Sequence, residues 1–464
     1  LAAQGIKLNT DYIDNSAGVD LSDHEVNLKI LFELALSRKE MSIEERDGWL
    51  EKIREEVNAQ VLSNNWVQSR IISLDAIRSQ QDMPRFQRTI EFLCDQVPFK
   101  RRDYYLPGER VVNERAEKGL GLYRPELAAI ISNAKMFMRQ ELSVGQAPDF
   151  EKIADEYMAY FPKAISEGFR DDLLAHPLRD EIANAVLTNH IMADTGSCFL
   201  SEASILTGRS THDIIDAFFL AQKFLDLSGI KSKIDKKKEM LNARSEYALR
   251  LELGDALEDI THWILRRVPP KEIDVFIKNF HKCAKGLRAK LPKDLNKLLT
   301  GHFKPLRKKG VSEEFDDLLT PILSTHLILD CCSLQQKVKV KDTDAIKLIS
   351  AIGKAIDLNG ALYLNTETHN STDKPARFAI KDLIRRQVVT LAENFIKESD
   401  GATLDEQSIR KWLRDIQQEF RSISGQRDAL PGLVIAAETT VFAGHCCGSQ
   451  SWISAEHLKK TRLT

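Results

Sequence analysis

Residues Leu8 to Asn27 crowd small and polar side chains into a predicted strand-to-helix transition, with Asn9, Thr10, Asp11, Asp14, Asn15, Ser16, Ala17 and Gly18 leading into Ser22, Asp23, His24 and Glu25. Small side chains at Ser16, Ala17 and Gly18 let a ligand approach the backbone closely. A helix starting at Ser22 would turn unpaired N–H groups and a positive dipole end toward an anion. A carboxylate or phosphate would be favoured there. A capped helix following a tight turn explains the same residues without any ligand.

The other candidate chemistries are weaker. Gly119-Leu120-Gly121 lacks the third glycine of a dinucleotide fingerprint and has no strand before it, so it reads as the turn leading into a helix. The chain has no GxxxxGK[ST], HExxH, GxSxG or CxxC pattern. His445 is followed by the adjacent Cys446 and Cys447, whose spacing does not suit two thiolates on one tetrahedral zinc, so no metal site is expected. Basic runs at Lys231–Lys238 and Lys304–Lys309 carry no interleaved aromatics for stacking on bases and read as solvated helix faces or loops. His190, His262, His281 and His326 stand without carboxylate or cysteine partners at a telling spacing.

The elements that must position the Leu8–Asn27 segment are helical. Residues 5–21 read as a short strand and turn, Ile6 and Leu8 alternating with polar positions. Ser22 with Glu25 forms a capping pattern ahead of Val26, Ile30 and Leu34, predicting a long helix to about Arg38. Ser42 with Glu45 repeats that pattern, followed by Trp49, Ile53, Val57 and Val61 at steps of four. Residues 99–112 read as a loop. Arg124-Pro125-Glu126 opens a helix to about Leu142, because proline in a first turn lacks only an N–H that has no use there. Ser210 and Asp213 cap another. Leu253, Leu257, Ile260 and Ile264 give a bundle-like stripe. Helices are expected again over 345–358, 373–397 and 408–420.

Length and composition agree. A chain of 464 residues predicts about two to four domains. With 22 glycines and 14 prolines it is too poor in turn residues for an all-β sandwich. Sixty-six basic against 68 acidic side chains leave a net charge of −2, which argues against a nucleic-acid or membrane partner. No run of eighteen apolar residues and no leader-like N-terminus is present, and the seven cysteines are an odd, thinly spread set, so free thiols and a cytoplasmic location are expected. The fold class is therefore mainly α: a multi-helix region following a short strand and turn. Its expected parts are 1–22, 23–110, 111–335 and 336–464.

The Leu8–Asn27 segment closely resembles the large bacterial NAD-specific glutamate dehydrogenases where the chain leaves the dinucleotide domain and returns to the substrate domain. Asn9-Thr10-Asp11, Asp14 to Asp20, Ser22 to Asn27 and Lys29-Ile30-Leu31 carry that resemblance. Gly121-Leu122, Arg124 to Ala128 and Ala134-Lys135 look like a second signature of the family, and Tyr160-Phe161-Pro162 a third.

The resemblance implies that residues 1–22 end a dinucleotide-binding α/β domain. It places Asn15 beside the nicotinamide ribose of NAD and the Ser22 hydroxyl on the side-chain carboxylate of glutamate. Ser16 and Ala17 replace the Ala-Gly of the short glutamate dehydrogenases. The implied reaction is oxidative deamination of L-glutamate to 2-oxoglutarate and ammonium, with hydride passing to NAD. The family's catalytic lysine, aspartate and glycine-rich turn match nothing here, so no catalytic residue is assigned. These 464 residues alone are expected to be inactive, their helices serving homo-oligomer assembly or regulation. A free-standing all-α interaction or regulatory protein is the competing expectation.

Overall fold

The computed structural model describes residues 1–38, 40–144, 150–269, 272–291, 300–355, 374–398, 407–409 and 411–412. Helix dominates, and no strand occurs among the described residues. The helices run α1 Asp11–Asp14, α2 Ser16–Ser37, α3 Ile43–Gln81, α4 Met83–Gln96, α5 Glu109–Glu117 and α6 Arg124–Val144. Then come α7 Ala154–Tyr160, α8 Lys163–Gly168, α9 Arg170–Leu174, α10 Arg179–Thr195, α11 Phe199–Thr207, α12 Thr211–Leu225 and α13 Leu227–Lys236. The remainder are α14 Ala243–Arg267, α15 Ile273–Ala289, α16 Thr300–Lys308, α17 Asp316–Leu323, α18 Thr325–Lys337, α19 Asp342–Ala355 and α20 Lys374–Glu398. The expected helix over 408–420 and the tail from 432, with its His445-Cys446-Cys447, lie largely or wholly outside the described residues.

Local chemistry fixes several helix starts. Ser42 Oγ accepts from the Glu45 N–H at 3.2 Å while the Glu45 carboxylate accepts from the Ser42 N–H at 2.7 Å, the reciprocal capping box the sequence predicts. Ser42→Ala should lower stability by about 1 kcal/mol in urea unfolding, because the Glu45 N–H in the first turn loses its side-chain acceptor. An unchanged midpoint would show that water replaces the cap. Ser210 Oγ likewise accepts from the Asp213 N–H at α12.

Two sequence expectations are corrected. The strand over 5–21 is not formed; residues 5–10 are turn and coil, and α1 and the first turns of α2 follow. Alternation at Ile6 and Leu8 alone makes no strand, since a strand must pair its N–H and C=O groups with a neighbour and none lies alongside among the described residues. The second correction concerns Ser22, which is not an N-cap. The helix begins two turns earlier at Ser16 with Asn15 in the cap position, and Gly18 lies inside it. Two side chains of α3 hold those early turns: Asn65 donates to Ser16 Oγ at 2.9 Å and Asn64 to Asp20 Oδ2 at 2.9 Å. Tertiary hydrogen bonds here outweigh the local loop signal of the small residues.

The chain forms two compact units: residues 1–222 with 238–273, and residues 223–237 with 274 onward. In the first, α2 and α6 pack on α3, and α10 packs on α6, α7 and α14. Its core holds a charged cluster. The buried Arg85 pairs with Glu202 at 2.6 Å and Glu258 at 2.7 Å, and Arg88 reaches the other Glu202 oxygen at 2.8 Å. Nearby, the buried Asp75 accepts from Arg78 at 3.0 Å and from the Ser197 N–H and hydroxyl at 3.0 and 2.7 Å. Gly196 has φ +84 and ψ −174, a conformation almost confined to glycine, and a Cβ there would sit 2.4 Å from Asp75 Oδ1.

In the second unit α18, α19 and α20 pack against one another, with a buried Arg385–Asp330 pair at 2.7 Å. The stretch Glu313–Lys337 is apolar and long enough by composition to cross a bilayer, yet 67% of that window is buried inside the protein, as in a core.

Candidate functional site

α2 has two faces of different character. Asn15, Val19, Ser22 and Val26 follow at steps of four, three and four, which places them on one stripe of the helix. All four are exposed, Val19 to 67% and Val26 to 49%. Asn15 donates its Nδ2 to Asp11 Oδ1 at 2.7 Å, and its side-chain carbonyl oxygen has no partner among the described residues. The Ser22 hydroxyl engages no protein partner among the described residues. Seven residues at about 1.5 Å each separate Asn15 from Ser22 by about 10 Å along the axis. The stripe thus presents an amide oxygen and a hydroxyl with an apolar residue between and beyond them.

The opposite face is sealed. His24 stacks on Tyr160 with ring centres 4.3 Å apart, Asn27 Nδ2 donates to Tyr160 Oη at 2.8 Å, and the Asn27 carbonyl lies 3.0 Å from His176 Nε2. Below these, Leu28, Leu31, Phe32 and Ala35 enter the core. Burial pushes the Tyr160 phenol up to about 12, against the pull of the Asn27 hydrogen bond. Lys135 on α6, half-buried, is lowered to about 8 by burial and by neighbouring Arg139, with Asp20 opposing. Burial also lowers His24 below its ordinary value, outweighing Asp20 and Asp23, and lowers His176.

Both ring nitrogens of His24 are buried without hydrogen-bond partners among the described residues. Its unfolded-state value is 6.5 and its folded value lies below that. The unfolded chain therefore takes up a proton first as pH falls, so the contribution of His24 is complete above 6.5 and is lost through the folded value. His24→Phe keeps the ring stack and removes the titration. Its unfolding free energy should fall less steeply than that of the wild type between about pH 7 and 5. Parallel curves would show that His24 keeps its proton equilibrium on folding.

Sequence-distant segments close on α2, on α3 and on the residues before α1. Arg124, at the start of α6, donates from Nε to Asn9 Oδ1 at 2.8 Å and from Nη1 to Ser73 Oγ at 2.8 Å, while Asn9 Nδ2 donates to Asp14 Oδ1 at 2.8 Å. Gly121 packs so tightly on the end of α3 that a Cβ would lie 2.4 Å from Ser79 Oγ, and the Leu122 N–H donates to that hydroxyl. Gly119 has φ +66 and closes the end of α5, its N–H donating to the Ala116 carbonyl at 3.0 Å. Tyr160 closes on α2. His176, which sequence reasoning passed over, carries no pattern of its own and is identified only by its contact with the Asn27 carbonyl.

The model for the family described as bacterial NAD-glutamate dehydrogenase, catalytic domain, matches residues 1–75, and that described as glutamate dehydrogenase, C-terminal, matches residues 119–429. The chain belongs to the large bacterial NAD-specific glutamate dehydrogenase family. It is 25% identical over 95% of its length to an NAD-specific glutamate dehydrogenase of Halomonas elongata, of which it covers 28%. The protein of the same name from Pseudomonas aeruginosa is 27% identical over 87% of the chain, with 25% of the relative covered. That of Mycobacterium tuberculosis is 26% identical over 93% of the chain, with 28% covered. The chain thus spans about a quarter of the length of these curated relatives. Within the family's two matched regions, α3 is the shared beam: its first part lies in the catalytic-domain match, and its residues Ser69 and Ser73 hold Arg124 of the C-terminal match.

Proposed function

We propose that α2 is one wall of a glutamate dehydrogenase active site. Ser22 Oγ donates to the side-chain carboxylate of L-glutamate, and the Asn15 carbonyl accepts from the nicotinamide ribose of NAD. The observation that carries this reading is the stripe itself: the Ser22 hydroxyl and the Asn15 side-chain carbonyl are exposed and without a partner among the described residues, on one face of a helix whose other face is locked. The residues suit the cofactor, since an amide acceptor beside apolar Val19 fits a hydroxyl-bearing ribose next to a flat ring.

NAD, when bound, supplies the hydride acceptor for oxidative deamination to 2-oxoglutarate and ammonium. The chain's own contribution is alignment. Arg124, Asn64, Asn65 and Tyr160 fix the rotation and position of α2, so the hydroxyl and amide meet their ligands without reorganisation. Val19 and Val26 exclude water along the stripe. Tyr160 and His24 pack together on the face of α2 turned away from the stripe. The helical region beyond residue 111 serves assembly of like subunits or regulation, in the cytoplasm, without nucleic acid or membrane. Substituting Ser22 in the complete enzyme, and comparing glutamate with NAD kinetics, tests the assignment.

A further inference from the structure

The second unit brings together two cysteines that the glutamate site does not use. Cys283 on α15 and Cys332 on α18 are 49 positions apart in sequence, and their sulfurs are 3.1 Å apart. That is only about 1 Å longer than an S–S bond. Cys283 is half-buried, whereas Cys332 and its neighbour Cys331 are buried. The Cys283 thiol donates to Gln335 Oε1 at 2.9 Å. With its single hydrogen committed to Gln335, the hydrogen shared between the sulfurs comes from Cys332. Cys331 projects about 100° round the helix from Cys332.

We propose that Cys283 and Cys332 are a modification site that a peroxide converts to a reversible disulfide joining α15 to α18. The Cys283 thiolate attacks one peroxide oxygen; an S–O bond forms, the O–O bond breaks, and the departing hydroxide is protonated to water. Cys332 then attacks the Cys283 sulfur, forming the S–S bond and breaking the S–O bond, and a second water leaves. Two thiols give up two electrons, and one peroxide is reduced to two waters.

The surroundings favour Cys283 as the first nucleophile. Hydrogen bonding from Cys332 lowers the Cys283 thiol below its ordinary value, against the opposing effect of burial, while burial raises Cys332 and Cys331. The buried guanidinium of Arg288, with Nε and Nη2 unpartnered, lies within electrostatic reach of Cys332 and favours its thiolate when the resolving step is due.

Oxidation would also be felt beyond the sulfurs. Gln335 Nε2 donates to the Val340 carbonyl at 3.1 Å and to Asp342 Oδ1 at 2.8 Å, where α19 begins, and Lys290 holds the other Asp342 oxygen at 2.8 Å. Once Cys283 loses its hydrogen, Gln335 Oε1 loses its donor. The thiol pair is thereby tied to the first turn of α19.

The test treats the 464-residue protein with hydrogen peroxide, alkylates the remaining thiols under denaturing conditions and maps the peptides by mass spectrometry. The expected product is a Cys283–Cys332 linked pair, two hydrogens lighter than the separate peptides, restored by dithiothreitol, with Cys94 and Cys198 still alkylated. Cys331→Ser should form the same link, and Cys332→Ser should instead leave Cys283 as an oxygenated monomer, each variant being checked for fold by circular dichroism. Peroxide-treated protein in which Cys283 is oxygenated while Cys332 remains a free thiol would overturn the proposal. So would loss of the link in folded Cys331→Ser, which would assign the pairing to Cys331.

Discussion

Arg85→Met is expected to destabilise the protein by about 3–5 kcal/mol at neutral pH, read as a shift in the urea midpoint at unchanged slope. Arg85 is 3% exposed and lies between Glu202, also 3% exposed, and Glu258 at 5%. Burial by itself depresses the Arg85 guanidinium; the attraction of Glu258 and Glu202 overrides it and raises the group above its ordinary value. Removing the cation leaves two buried carboxylates, with Arg88 reaching only Glu202. The cost comes from those stranded charges more than from the lost attraction, because forming the cluster already required three groups to leave water. A replacement that also removes the carboxylates, Arg85→Met with Glu202→Leu and Glu258→Leu, should therefore recover part of the loss, with Arg88, left without Glu202, turning its 22% exposed side chain to water. If Arg85→Met costs less than about 1 kcal/mol, water reaches the carboxylates and the cluster is not the sealed core the structure describes.

None of that cluster is legible in the sequence. Arg85 and Glu258 stand 173 positions apart and each sits in an ordinary helical pattern. By contrast, the boxes at Ser42 with Glu45 and the proline-led start at Arg124 are legible because their hydrogen bonds close within one turn. Ser22 shows where local reasoning stops. Its type and its Glu25 partner satisfy the capping pattern, but the helix start is decided by Asn64 and Asn65, more than forty residues away on α3. The same long reach explains why Arg124 and Tyr160 read only as isolated signatures. Each closes a hydrogen bond over more than a hundred positions onto the first thirty residues.

Placing Ser22 inside α2 changes what its substitution can reveal. At an N-cap, Ser22→Ala would cost about 1 kcal/mol of stability, entangling structural with functional loss. At an exposed interior position alanine is the better helix former, so Ser22→Ala should leave the melting temperature unchanged or slightly raised. Ser22→Gly, the natural control for a cap, is the poorer choice here, since glycine inside a helix costs about 1 kcal/mol.

In the complete enzyme, Ser22→Ala is expected to lower kcat/KM for both glutamate and 2-oxoglutarate about ten- to a hundredfold. One hydrogen bond to a charged group is worth about 1.5–3 kcal/mol. The KM for NAD should stay near the wild-type value. Asn15→Ala should show the complementary split, raising the KM for NAD while the dependence on glutamate changes little. Wild-type kinetics in stable Ser22→Ala would mean that the hydroxyl faces water rather than substrate. A parallel rise in both KM values from either variant would mean that the stripe positions the wall as a whole, without Asn15 and Ser22 dividing cofactor from substrate between them.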